Sequence, residues 1–124
     1  MGIKENKITN KILEALPMIM RLFRNHVGVV QDKKGAWHKF GLPKGSADLI
    51  GFTILKVTPG MVGKDVPVFT SVEVKTPTGR LSKEQKLWSD FMERVNALHV
   101  VARSPEEVKQ ASKEYKQKME ETNE

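Results

Sequence analysis

Asp48, Glu73 and Lys75 are the residues whose types and spacing could do chemistry. Glu73 and Lys75 are two apart in S-V-E-V-K (71–75). On a β-strand both therefore project from one face, while Val72 and Val74 turn to the other. Residues 48–57 (DLIGFTILKV) and 68–75 (VFTSVEVK) read as two central strands, and TPGMVGKDVP between them has the turn chemistry of a hairpin loop. If they pair antiparallel about a loop centred near Gly60 or Met61, Asp48 falls opposite Glu73, with Cβ atoms about 4.5–5.5 Å apart. Two carboxylates and an ammonium on one patch suit phosphodiester hydrolysis. Hard Mg²⁺ is commonly held by one or two carboxylates with waters and phosphate oxygens. There it polarises the phosphate and acidifies an attacking water, while the lysine orients or deprotonates that water or offsets charge on the phosphate. Alternating charge on a strand ordinarily marks a solvated face. Here valines flank Glu73 and an aspartate opens the partner strand, and charge on a central strand is costly unless it serves a site.

Other elements must hold these residues in place. Ile8, Ile12, Leu13, Leu16, Ile19 and Met20 give residues 5–20 the spacing of an amphipathic helix, which Pro17 should kink or end near Leu16. Short strands are expected at Val27–Gln31 and Ala36–Phe40, joined by a turn at residues 32–35, with a loop over residues 41–46. After Thr76-Pro77-Thr78-Gly79, Ser82 and Gln85 form a capping box, opening a helix whose apolar face is Leu87, Trp88, Phe91, Met92 and Val95. Leu98–Ala102 is a short apolar strand. Ser104-Pro105-Glu106-Glu107 opens the last helix with a second capping box, and its charged tail from about residue 116 is expected to fray. The order α-β-β-β-β-α-β-α describes an α/β fold with a mixed β-sheet flanked by helices, and 124 residues suit one domain over residues 1–124.

Composition narrows the function. There is no cysteine, which excludes thiolate metal sites, thiol nucleophiles and disulfides. No apolar run is long enough to cross a bilayer, and the N-terminus lacks the apolar segment of a signal peptide, so a cytoplasmic protein is expected. Lys and Arg number 21 against 15 Asp and Glu, a formal net charge of +6. Acids crowd the C-terminus, leaving residues 1–103 more basic than the average. A polyanion, most commonly nucleic acid, is the expected partner.

The motifs G-S-A-D-L-I-G-F (45–52) and S-V-E-V-K-T-P-T-G-R-L-S-K-E-Q (71–85) resemble the VRR-NUC domain, the virus-type replication and repair nuclease branch of the PD-(D/E)XK superfamily. E-N-K-I-T-N-K-I-L (5–13) and R-N-H-V-G (24–28) are similar to further elements of that family, so the likeness runs from Glu5 to about Val108. The resemblance implies a restriction-endonuclease-like core, with Asp48 and Glu73 binding Mg²⁺ or Mn²⁺ and Lys75 as the catalytic lysine. It further implies Glu5 and the Val74 carbonyl as additional metal ligands, and Gln85 as an assisting catalytic residue. Ala47 stands where the superfamily has a proline, a position that varies in this branch. The resemblance also suggests an origin in a phage or virus.

Each minor residue has a structural reading beside the functional one. Gln85 is accounted for as a capping-box residue, and Glu5 by the helix dipole; one side chain should serve cap and catalysis only poorly. His26, His38 and His99 lack ligand spacing, and His99 reads as a satisfied core or edge histidine. Trp88 reads as core. Trp37 either stacks on a base or covers the sheet, the second being favoured. The DNA-facing candidates are Arg24, Asn25, Lys39, Lys44, Ser46, Arg80 and Lys83. Lys44 and Arg80 are best placed for phosphate, and nothing resembles a major-groove recognition helix, so DNA shape is the expected readout. The expected activity is metal-dependent endonucleolytic cleavage of branched DNA or four-way junctions by a homodimer. The alternative is a non-catalytic nucleic-acid-binding module of the same fold.

Overall fold

Twelve residues from Ile3 to Glu14 form α1, closed at its start by Glu5, whose Oε2 accepts a hydrogen bond from the Gly2 N–H at 3.2 Å. The helix ends before Pro17, as proline geometry requires. This computed structural model describes residues 2–121. The chain then gives β1 (Met20–Arg24), β2 (Gly28–Gln31), β3 (Trp37–Phe40), β4 (Leu49–Thr53), a 3₁₀ turn at Pro59–Met61, β5 (Thr70–Val74), α2 (Lys83–Arg94), β6 (Leu98–Ala102) and α3 (Pro105–Glu120). The fold is mixed α/β. It divides into two units, Met1–Met61 and Val62–Glu124.

In the first unit, β1 pairs antiparallel with β4, Leu22 opposite Gly51 and Arg24 opposite Leu49. β1 was not expected from the sequence, because Ile19 and Met20 continue the helical spacing past Pro17. Gly51 is needed in this pair: a Cβ there would lie 1.9 Å from the Arg21 carbonyl oxygen. β2 and β3 form the expected hairpin, with Gln31 opposite Trp37. Asp32 builds its turn. One carboxylate oxygen accepts from the Lys34 and Ala36 N–H groups, each at 2.9 Å, and the other meets His38 Nε2 at 2.8 Å. The His38 bond, followed by the Ala36 N–H, holds the Asp32 carboxyl below its ordinary value of 3.8.

In the second unit, β5 and β6 run parallel, Glu73 opposite Val101, with α2 as the crossover between them. Both halves of the Ser82–Gln85 capping box form. At the other end of α2, Asn96 takes the left-handed conformation (φ 61°). The Ala97 N–H reaches the Met92 carbonyl at 3.0 Å and the Asn96 N–H reaches the Glu93 carbonyl at 3.1 Å, a complete Schellman motif. Met92 is fully buried, and Val100 and Ala102 are nearly so; they form the core of this unit.

Three expectations are corrected. The pairing of 48–57 with 68–75 gives way to β1–β4 and β5–β6, so the register placing Asp48 opposite Glu73 goes with it; β4 found an antiparallel partner upstream and β5 a parallel one downstream. The second capping box is half formed: Ser104 Oγ accepts from the Glu107 N–H at 3.3 Å, but Glu107 Oε2 takes the Arg103 N–H at 3.0 Å, one residue earlier than a box requires. Finally, α3 stays helical through Glu120, past the point where fraying was expected. A Gln110–Glu114 bond one turn apart (2.9 Å) and Tyr115, whose hydroxyl donates to the Asn96 carbonyl, hold it. Glu121 caps the helix through its N–H to the Gln117 carbonyl at 3.1 Å, and the tail beyond it lies outside the described residues.

Candidate active site

Strand alternation delivers what the E-x-K spacing promised within the second unit. Glu73 and Lys75 share a face of β5, and Lys75 Nζ lies 3.5 Å from Glu73 Oε1. Their side chains are 30% and 18% exposed, sheltered enough for the pair to matter and open enough for a substrate to reach. α2 lies against this face and meets it with two polar rungs. Gln85 Nε2 donates to Glu73 Oε1 at 2.7 Å, and the Trp88 indole N–H donates to Ser71 Oγ at 3.1 Å. Three residues advance about 4.5 Å along a helix and two about 6.6 Å along a strand, a difference that the long side chains of Gln85 and Trp88 span in reaching Glu73 and Ser71.

Gln85 therefore does two things that seemed incompatible in the sequence. Its Oε1 accepts from the Ser82 N–H at 2.8 Å, completing the cap, while its Nε2 holds Glu73. An amide has an acceptor end and a donor end, so neither bond excludes the other.

The Trp88–Ser71 rung was not anticipated, since Trp88 on an apolar face reads as core. Ser71 Oγ also lies 2.7 Å from His99 Nδ1, whereas His99 Nε2 is buried without a partner among the described residues. His99 is thus a half-satisfied histidine rather than the satisfied one expected.

The backbone adds an oxygen. Lys75 N–H bonds to the Ala102 carbonyl, and Leu98 N–H to the Phe69 carbonyl. By alternation, the Val74 carbonyl points away from β6, on an edge of β5 that no ladder of this unit uses. Glu73 and the Val74 carbonyl are oxygen donors of the kind a hard divalent cation takes, with water and phosphate completing its shell. Among the described residues, no group of three or more His, Cys, Asp or Glu is assembled that could hold a metal ion.

In the first unit, Asp48 is exposed at the residue before β4, and its carbonyl accepts from the Asn25 N–H at 2.9 Å. Asn25 organises the loop leading to it. Its Nδ2 donates to Ser46 Oγ (2.8 Å) and to the Ala47 carbonyl (2.9 Å), and its Oδ1 accepts from the Leu42 N–H (3.2 Å). The side chains of Asn25 and Ser46 are thus tied to each other. Arg24 donates to Asn10 Oδ1, linking β1 to α1. Lys44 is exposed in the turn closed by the Ser46 N–H to Pro43 carbonyl bond, next to Gly45 at φ +90°. Lys39 is exposed on β3, Arg80 after β5 and Lys83 at the first position of α2. Glu5 is exposed and engaged with its own helix start.

The VRR-NUC domain matches residues 24–106, more than half of the chain. That span contains every candidate site residue except Glu5, and it starts downstream of the helix included in the sequence resemblance. Comparison with curated proteins and with solved structures found no match. No helix of the described residues is long and apolar enough to cross a membrane. The chain belongs to the VRR-NUC family, and its domain is of the nuclease type, with DNA as its class of substrate.

Proposed function

We propose that this chain is a metal-dependent DNA endonuclease with a restriction-endonuclease-like core, acting over residues 1–124 as one domain. The family match running through both units supports the last point. The observation that carries the reading is the Glu73–Lys75–Gln85 cluster, an ordered carboxylate beside an ammonium at a partly open position. Glu73 and the Val74 carbonyl would hold Mg²⁺ or Mn²⁺, which would supply charge for the scissile phosphate and acidity for the attacking water; Asp48 and Glu5 are the further metal ligands that the family resemblance implies. Lys75 Nζ orients that water, takes its proton, or offsets charge on the phosphate oxygens. Gln85 fixes the rotamer of Glu73. Lys44, Arg80 and Lys83 contact backbone phosphates, and Lys83 stands at a helix start, where a cation opposes the dipole unless an anion is near. Arg24, Asn25 and Ser46 are further DNA contacts in this reading.

Branched DNA, with the four-way junction first, is the proposed substrate, cut in the cytoplasm by a two-fold homodimer whose paired sites cut symmetric strands. The β2–β3 hairpin supports a partner subunit: Val29, Val30, Trp37 and Phe40 are all exposed, and a two-stranded hairpin is marginal alone.

Labelled linear, flap and four-way DNA incubated with Mg²⁺, Mn²⁺ or chelator tests the activity. Cleavage should require metal, and Lys75→Ala should remove it by about 100-fold or more while leaving DNA binding intact. Wild type and Lys75→Ala that bind alike and never cut would instead identify a binding module. Gel filtration showing a fully active monomer would refute the dimer.

A further inference from the structure

The residue directly after β6 does something no site residue accounts for. Arg103 reaches back to the turn that follows the E-x-K strand: its Nε donates to the Thr76 carbonyl at 3.2 Å and its Nη2 to the Gly79 carbonyl at 3.1 Å. These two carbonyls belong to the first and last residues of T-P-T-G, itself closed by the Gly79 N–H to Thr76 carbonyl bond at 3.1 Å. Arg103 is anchored in turn. The Lys75 N–H bonds to the carbonyl of the preceding Ala102, and the Arg103 N–H bonds to Glu107 at the start of α3. The turn lies against the catalytic lysine: a Cβ added at Gly79 would sit 3.5 Å from Lys75 Cδ, so the aliphatic stem of Lys75 passes over it.

We infer that Arg103 is a positioning residue for the reaction proposed above: its guanidinium clamps the Thr76–Gly79 turn from both ends and thereby holds Lys75 Nζ beside Glu73. The inference rests on the assignment of Lys75 to that reaction. A planar fork with several N–H groups at fixed angles can serve two separated carbonyls at once, whereas a lysine ammonium on a flexible stem presents its three donors from one nitrogen with no fixed direction. The clamp also sits at the carboxyl ends of parallel strands, where α/β units place their working loops.

Arg103→Ala and Arg103→Lys test the clamp by two readouts. The first needs no activity: amide exchange at Gly79 should speed up about tenfold or more in Arg103→Ala, and Arg103→Lys should not restore it. The second is kinetic: on DNA, kcat should fall about tenfold in both variants with KM little changed. Unchanged Gly79 exchange in Arg103→Ala overturns the clamp. A rise in KM alone, repaired by lysine, would make Arg103 a simple phosphate contact and also overturns it. If the wild type cuts no DNA with Mg²⁺ or Mn²⁺, the site assignment falls and with it the catalytic part of the inference, while Gly79 exchange still decides whether the clamp exists.

Discussion

Gln85 joins a helix start to a carboxylate through one side chain, and the two jobs can be separated chemically. Gln85→Glu keeps an oxygen for the Ser82 N–H but loses the donor to Glu73 and sets a second negative charge against it. Helix content, read by circular dichroism, should hold because glutamate is equally a capping-box residue. Metal-dependent cleavage should fall about tenfold or more. Cleavage at the wild-type rate would mean that Gln85 is a cap alone. At this scale the sequence was readable where chemistry has a fixed spacing: Glu73 and Lys75 came together as E-x-K requires. It was not readable where one residue type serves two environments. Trp88 looked apolar until its N–H was found on Ser71, and Asn25 carries no sign in its neighbours that its amide ties the 42–47 loop together.

Among the elements, α2 is the best defined, and both its ends follow from local rules. Ser82 starts it with a capping box, and Asn96 stops it with a left-handed residue. Asn96→Ala should cost roughly 1–2 kcal/mol in urea denaturation, because alanine pays the full left-handed penalty. Asn96→Gly should cost nothing or stabilise. The Asn96 carbonyl also receives the hydroxyl of Tyr115, the single tyrosine of the chain, whose partial burial raises its pKa above the ordinary 10.0. The folded state therefore holds that proton more tightly than the unfolded chain. The stabilisation is complete below pH 10 and is lost as pH climbs through the raised value. Thermal unfolding monitored across that range, with phenolate absorbance as the direct reporter, should show a fall that Tyr115→Phe lacks. Strand positions were largely legible, because period-two apolar runs are local. The choice of partner was not: β1 was hidden behind a helical repeat that Pro17 interrupts, and without it β4 had no candidate but β5.

For the whole molecule, the net charge of +6 and the family motifs from Glu5 to about Val108 were both visible in the sequence, and the family match over residues 24–106 carries the assignment to DNA. The parallel ladder carrying Glu73 and Lys75 has a kinetic consequence. A hairpin can close early, but parallel strands meet only after the chain between them has turned back, here by way of α2 and its terminal turn. Helix and turn are built from sequence neighbours, so in refolding from urea their ellipticity should return before catalytic competence. If both recover with one rate constant, ladder and helix assemble as a single nucleus, and the working end of this unit is as old in the folding process as its scaffold.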